Sequence, residues 1–256
     1  MQIQQKSALV WIAALAALTI SVLSVWPSMK DSGSLEGFTT GMPTELTEAL
    51  GMSDFATAAG YLNGNLYALL LPLCIGMLGL TTIITLTAGD EENGRLELLL
   101  ALPISRKIVY LARLLSVFTV IIVTSTVLAL IILSLASALD MELTTIGTIA
   151  VSTAIALLGL FHAAFAYAIT SAGISKSSAT AATAAVLIIG YIIHAIIPMS
   201  GASESISYIS PWHWVLNNNP LVNGFDVAGT LSLTTVTLAL SAIGTILIAH
   251  RDIKTA

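Results

Sequence analysis

Six long, uninterrupted apolar runs constrain this chain more than any other feature. A helix needs about 20 consecutive apolar residues to cross ~30 Å of hydrocarbon. Runs of that order lie at roughly 8–26, 61–88, 114–139, 144–171, 179–199 and 227–249. Of the 256 residues, 56% are hydrophobic and only 9% are charged, where a soluble domain carries about 25% charged residues. Mean hydropathy is +0.94. A soluble fold of this length could not hide that much apolar surface, because its surface-to-volume ratio leaves too much of the chain facing water. A cytosolic enzyme, a nucleic-acid binder and a disordered chain are therefore excluded. The net charge of −5 and pI near 5.2 also disfavour a polyanionic partner. Cys74 is the one cysteine, so there is no disulfide framework and no cysteine-type metal site.

A membrane β-barrel would show alternating apolar and polar residues, and these runs are continuously apolar. The expected fold is an all-α membrane protein: one transmembrane domain over 1–256 with six transmembrane helices. The first run follows Lys6, as in a signal peptide. It is longer than the usual core of about 7–15 residues, and Trp26, Pro27 and Met29 stand where small residues would mark cleavage. It reads as a retained span.

Orientation follows from the basic residues. Lys6, Arg95, Arg106, Lys107, Arg113, Lys176, Arg251 and Lys254 fall on one side of a six-span model, and Lys30 alone falls on the other. Both termini are thus expected in the cytoplasm, with an outer loop at 27–60 and an inner loop at 89–113. Trp11 and Trp26 mark the ends of span one; Trp212 and Trp214 lie in the last outer loop, where amphipathic rings favour the interface. Asp31, Glu36, Glu45, Glu48, Asp54, Asp140, Glu142, Glu204 and Asp226 all fall outside. They read as a solvated face, with a cation-attracting vestibule as the sharper alternative.

No Asp, Glu, Lys or Arg is placed deep in a span, so the relays of proton- or sodium-driven carriers are missing. His162 and His194 are the titratable candidates at depth besides tyrosines. Each is expected to bond a backbone carbonyl or a hydroxyl; a relay or metal role is the alternative. Neither an HExxH nor a G-x-S-x-G pattern occurs. No Gly-Lys pair occurs either, so a Walker A loop is absent and any nucleotide must bind another chain. The small and hydroxyl residues at 177–185 suit close helix packing or, alternatively, a polar path.

The most informative stretch is 89–107. Gly89 and Gly94 permit sharp changes of direction. Glu91 and Arg95 are four apart. A short helix from Arg95 to Leu102, with acids near its start, suits the helix dipole. Pro103 stops it, and Ser105 is placed to cap the next helix. Leu96, Leu99 and Leu100 share one face, while Leu98 and Leu102 form a second. The residues leave two readings open: a helix on the inner surface that docks a cytoplasmic protein, or a loop that returns to the bundle.

The stretch Glu92-Asn93-Gly94-Arg95-Leu96-Glu97, then Leu98-Leu99-Leu100-Ala101, then Pro103-Ile104-Ser105-Arg106 resembles the inner loop of type-2 permease subunits of ATP-binding cassette (ABC) exporters. Arg95 stands where that family usually has Thr. Ser210-Pro211-Trp212, Asn219-Pro220-Leu221 and Gly224, before a last span ending in Arg251-Asp252-Ile253, are similar to the family as well. The resemblance implies a permease that pairs with a second permease subunit, as a homodimer or a homologous heterodimer. Each would bind a separate ABC ATP-binding subunit that holds ATP and Mg, with no cofactor in this chain. It implies a coupling element of Glu91, Glu92, Gly94, Arg95, Leu96, Glu97, Leu98, Pro103, Ser105 and Arg106. It further implies an outer gate of Ser210, Pro211, Trp212, Trp214, Asn219, Pro220, Leu221 and Gly224, re-entrant and packed against spans five and six. The setting would be the plasma membrane of a bacterium or archaeon, among membrane lipids, and the cargo amphipathic. An ABC-type complex for self-protection or sensing is the alternative, and an intramembrane enzyme using His162 or His194 a further one.

Overall fold

The structure, a computed structural model, describes residues 2–31, 47, 54–100, 103–197 and 204–251. Among these, every regular element is helical. Helix α1 is Gln2–Asp31. The second apolar stretch is a broken helix: α2 (Ala58–Leu62), a π-helical turn (Asn63–Tyr67), α3 (Leu70–Ile84), a second π-helical turn (Thr85–Gly89) and α4 (Asp90–Glu92). Then come α5 (Arg95–Leu100), α6 (Arg106–Ala138), α7 (Thr145–Ser171) and α8 (Lys176–Ile196). A 3-10 turn at Glu204–Ile209 leads into α9 (Pro211–Leu216), α10 (Pro220–Asn223) and α11 (Val227–His250). Among the described residues six helical stretches are long and apolar enough to cross a membrane: α1, the stretch Ala58–Glu92, α6, α7, α8 and α11.

The helix starts follow simple capping chemistry. Ser105, Thr144, Ser175 and Asp226 are extended residues whose side-chain oxygens accept the amides of Ile108, Gly147, Ser178 and Gly229. The break in the second stretch also has a local cause. Pro72 lacks the N–H that would reach the Ala68 carbonyl, and its ring crowds that carbonyl; the helical run stops after Tyr67 and regular helix resumes at Leu70. Span one is longer than its apolar run: α1 continues through Pro27 to Asp31. Most of 27–60 lies outside the described residues. Helix α6 begins at Arg106, so the last part of 89–113 is helix rather than loop.

Helix α7 is the core. Its most apolar window is 67% buried, against 17% for α1, 28% for α8 and 22% for α11. Small residues make this possible: Ala163, Ala164 and Ala166 are fully buried, and α3 and α7 approach closely where Gly79 faces Gly159. Helix α11 lies along α7, with the Tyr167 hydroxyl 3.1 Å from Thr245 Oγ1.

Candidate functional site

Two clusters lie at opposite ends of the bundle. The one here called inner, at the end that the basic residues are expected to place in the cytoplasm, is built on α4, three consecutive acids at the foot of the broken helix. Each carboxylate reaches a different helix. Asp90 Oδ2 accepts from Arg113 Nη2 of α6 at 2.9 Å. Glu91 pairs with the Arg251 guanidinium, at the end of α11. Glu92 Oε1 accepts the Lys176 backbone amide at 2.7 Å, at the start of α8. The basic residues make further bonds. Arg113 also donates to the Leu86 carbonyl. Arg251 Nη1 donates to the Thr170 carbonyl of α7 at 3.1 Å, and the Arg251 carbonyl accepts from Arg106. The Asp90–Arg113 and Glu91–Arg251 pairs are both mostly enclosed.

Helix α5 follows this clasp directly. Gly94 separates the two at φ +68°, a left-handed conformation that glycine adopts without a Cβ clash. That turn overrides the expected spacing between Glu91 and Arg95. The two do not share one continuous helix, so the four-residue pairing is lost. Arg95 instead lies 3.7 Å from Asp90, largely exposed, and Glu91 turns to Arg251. Leu96 is fully buried and pins α5 to the core, while Arg95 and Glu97 face outward. The Leu98 side chain lies outside the described residues, as do residues 101 and 102. Pro103 is exposed, and Ser105 caps α6 as expected.

The outer cluster is α9 and α10. Both start with proline in the first turn, where the missing N–H costs nothing. Ser210 accepts the Trp212 amide and donates its hydroxyl to the Gly190 carbonyl of α8 at 2.6 Å. Trp212 is fully buried and packs on Gly190 and on Tyr191, with ring centroids 5.2 Å apart. Protein encloses the Trp212 ring, as expected for a segment packed against span five. Trp214 is half-buried and donates its indole N–H to the Tyr208 carbonyl at 2.7 Å.

The outer helices grip more of the bundle than spans five and six. A Cβ on Gly147 of α7 would lie 1.9 Å from the Leu221 carbonyl oxygen, and one on Gly229 of α11 would lie 1.6 Å from that of Trp214. Asn63, in the first π-helical turn, donates to Asn219 at 2.7 Å. Asn219 itself is left-handed at φ 46°, and Gly224 ends α10 at φ 78°. Pro211, Pro220 and Leu221 are buried.

His162 is fully buried, and its Nδ1–H donates to the Leu158 carbonyl at 2.7 Å. His194 lies edge-on to His213, centroids 6.1 Å apart. Among the described residues no group of three or more His, Cys, Asp or Glu converges to hold a metal ion.

Sequence reading missed Asp90, Arg113, Lys176 and Asn63 as contact-makers. For the first three the available signal was the accumulation of basic residues on the same side as a run of three acids; Asn63 carried none. That signal reveals complementary charge but no partner assignments.

The family model described as ABC-2 family transporter protein matches residues 3–250. No curated protein matches the chain.

Proposed function

The chain belongs to the ABC-2 family of transporter proteins, and on that premise we propose that it is the permease subunit of an ATP-driven exporter. It is a multi-pass membrane subunit of an ABC transporter. In our reading, two permease subunits pair, and each docks a separate ABC ATP-binding subunit through α5. That subunit holds ATP and Mg. The complex sits in the plasma membrane of a bacterium or archaeon and moves an amphipathic cargo outward past α9 and α10.

The observation that carries this reading is the position of α5. It is joined through Gly94 to three acids that hold α6, α8 and α11. Leu96 roots it in the core, while Arg95 and Glu97 face outward. A partner pressing on α5 therefore acts on three spans at once. Among the described residues no Asp, Glu, Lys or Arg lies far from a helix end, which supports a largely apolar path suited to amphipathic cargo.

The test is co-purification with an ABC ATPase, followed by reconstitution in vesicles containing a fluorescent lipid probe. We expect a stable complex, ATP turnover and ATP-dependent movement of the probe, with Glu97→Arg weakening assembly. Failure of any ABC ATPase to associate would overturn the reading. Turnover without cargo movement would point instead to a sensing or self-protection complex.

A further inference from the structure

The break in the second span borders a small polar cavity. Tyr67 ends the first π-helical turn, just before the break at Ala68 and Leu69. With Ser125 of α6 and Ser152 of α7 it surrounds a space of about 10 Å³, walled otherwise by apolar side chains that include Leu71, Leu128 and Ile155. That is room for a single water molecule. Tyr67 and Ser125 are only 2% and 6% exposed, and neither hydroxyl makes a hydrogen bond within the protein. Ser152 lies close enough to act on the Tyr67 hydroxyl, yet no direct hydrogen bond closes between them. Other hydroxyls of the same helices find partners locally. Thr124, next to Ser125, donates to the Val120 carbonyl at 2.7 Å, and Thr148 and Thr153 of α7 donate to the carbonyls of Thr144 and Ile149. Ser125 makes no such bond to its own helix. The site is deep: Ser152 lies seven residues beyond Thr145, the first residue of α7, or about 10 Å along the helix.

We propose that this cavity is a binding site for one water molecule, which bridges Tyr67, Ser125 and Ser152 and so joins the broken span to α6 and α7. Each hydroxyl offers one donor and two acceptor positions. Three of them supply what a buried water needs, since such a water makes about three hydrogen bonds to polar groups that would otherwise go unsatisfied. An apolar cavity of this size stays dry, whereas one rimmed by hydroxyls does not. Enclosing a hydroxyl without a partner is costly, and completing the network removes that cost and fixes the helices relative to one another. None of the lining residues is charged, so the site suits a small neutral molecule that both donates and accepts, and not an ion. Its place beside the break has a physical reason. Proline in a membrane helix frees backbone groups, and ordered water and hydroxyls commonly re-satisfy such regions. Here Pro72 takes its amide from the Ala68 carbonyl, one residue beyond Tyr67. Ser152 is half-buried while Tyr67, Leu71, Ser125, Leu128 and Ile155 are buried, so the water exchanges past Ser152. It gives the second span a polar hold on α6 and α7 at the level of the break, which no pair of side chains supplies directly.

The experiment uses the full chain in lipid nanodiscs. X-ray pulses convert bound water to hydroxyl radicals, which oxidise the side chain in contact, and mass spectrometry locates the product. Tyr167 is the reference, an equally enclosed tyrosine whose hydroxyl pairs with Thr245 at 3.1 Å. We expect Tyr67 to oxidise about fivefold faster than Tyr167, because a resident water supplies radicals that burial would otherwise exclude. Ser125→Val puts methyl groups in place of the hydroxyl and should bring Tyr67 down to the Tyr167 rate. Thermal unfolding then separates a bridging water from a direct bond. Tyr67 and Ser125 share no hydrogen bond, so a molecule between them is what couples them. Tyr67→Phe should lower the midpoint by about 2–4 °C in the otherwise unaltered protein and by much less in the Ser125→Val background. Ser125→Ala repeats the comparison with a side chain that cannot overpack. The water site is overturned if Tyr67 oxidises no faster than Tyr167. It is equally overturned if Tyr67→Phe leaves the midpoint unchanged or raises it, which means a dry cavity, or lowers it by the same amount in both backgrounds, which means a direct bond to Ser152.

Discussion

Glu91 and Arg251, 160 residues apart in sequence, form an ion pair in which the two side chains are only 12% and 15% exposed. Arg251 also donates to the Thr170 carbonyl, and its own carbonyl accepts from Arg106. One residue at the end of α11 thereby ties together α4, α6, α7 and α11. Desolvation offsets much of the attraction in such a pair, so its intact net contribution is modest. Removing one partner is a different matter, because the other charge remains enclosed without compensation.

Glu91→Gln and Arg251→Gln should therefore each destabilise the protein by about 1–3 kcal/mol, below the ~3–5 kcal/mol of fully buried pairs because both groups keep some contact with water. The double variant should cost clearly less than the sum, since neither charge is then stranded. Thermal unfolding in nanodiscs across the four-member cycle reads this out. Strict additivity would mean that the pair is not energetically coupled.

Gly94 offers a separate test of the connection between α4 and α5. Its φ of +68° is closed to proline, which is fixed near −65°. A Cβ there would meet nothing within 4 Å, so Gly94→Ala suffers only the backbone penalty, about 1 kcal/mol. We expect Gly94→Pro to abolish capture of the ATPase in a pull-down while membrane insertion remains normal, and Gly94→Ala to have a small effect. Equal capture by both variants would show that the angle between α4 and α5 is irrelevant to docking.

The spans and the Ser105 cap were legible because they depend on local chemistry. Continuous apolar runs specify membrane helices, and Ser105, just after Pro103, is a side chain that accepts its own helix's amide; Thr144, Ser175 and Asp226 do the same but were not read from the sequence. The break after Tyr67 was less visible, although Pro72, four residues after Ala68, carries its cause. The clasp was not legible. The spacing of Glu91 and Arg95 suggests a local pair, and only a left-handed Gly94 redirects both side chains. Nothing in the order of residues says that Glu91 meets Arg251 or that Glu92 caps α8, because those partners are set by how the helices pack. The outer helices were half legible: Pro211 and Pro220 announce short elements, but their seats on Gly147 and Gly229 depend on close approach of distant backbones.

The distribution of basic residues predicts sidedness independently of any packing argument. A cysteine at exposed Asn218, between α9 and α10, should react with an impermeant reagent applied to intact cells in a Cys74→Ser background. One at exposed Lys107, at the start of α6, should react only after permeabilisation. Labelling of Lys107→Cys in intact cells would reverse the assigned orientation.

Trp212 is where the outer helices are most exposed to test. Its ring is fully buried, its indole nitrogen has no hydrogen-bond partner, and it fills the space between Gly190 and Tyr191. Its contribution is therefore packing, and the size of the side chain decides the outcome. Trp212→Ala leaves a large cavity and should cost on the order of 3–5 kcal/mol if the surroundings do not collapse. Trp212→Phe keeps a ring against Tyr191 and loses no hydrogen bond, so its cost should be well below that. The functional consequence follows from location: with the ring gone, Ser210 alone holds α9 to α8 at Gly190. We expect Trp212→Ala to raise the passive leak of a small dye from vesicles and to speed hydrogen exchange of the α9 amides, and Trp212→Phe to do neither strongly. Exchange that is already rapid across α9 and α10 in the unaltered protein, together with unchanged leak in Trp212→Ala, would show that these helices do not close the path.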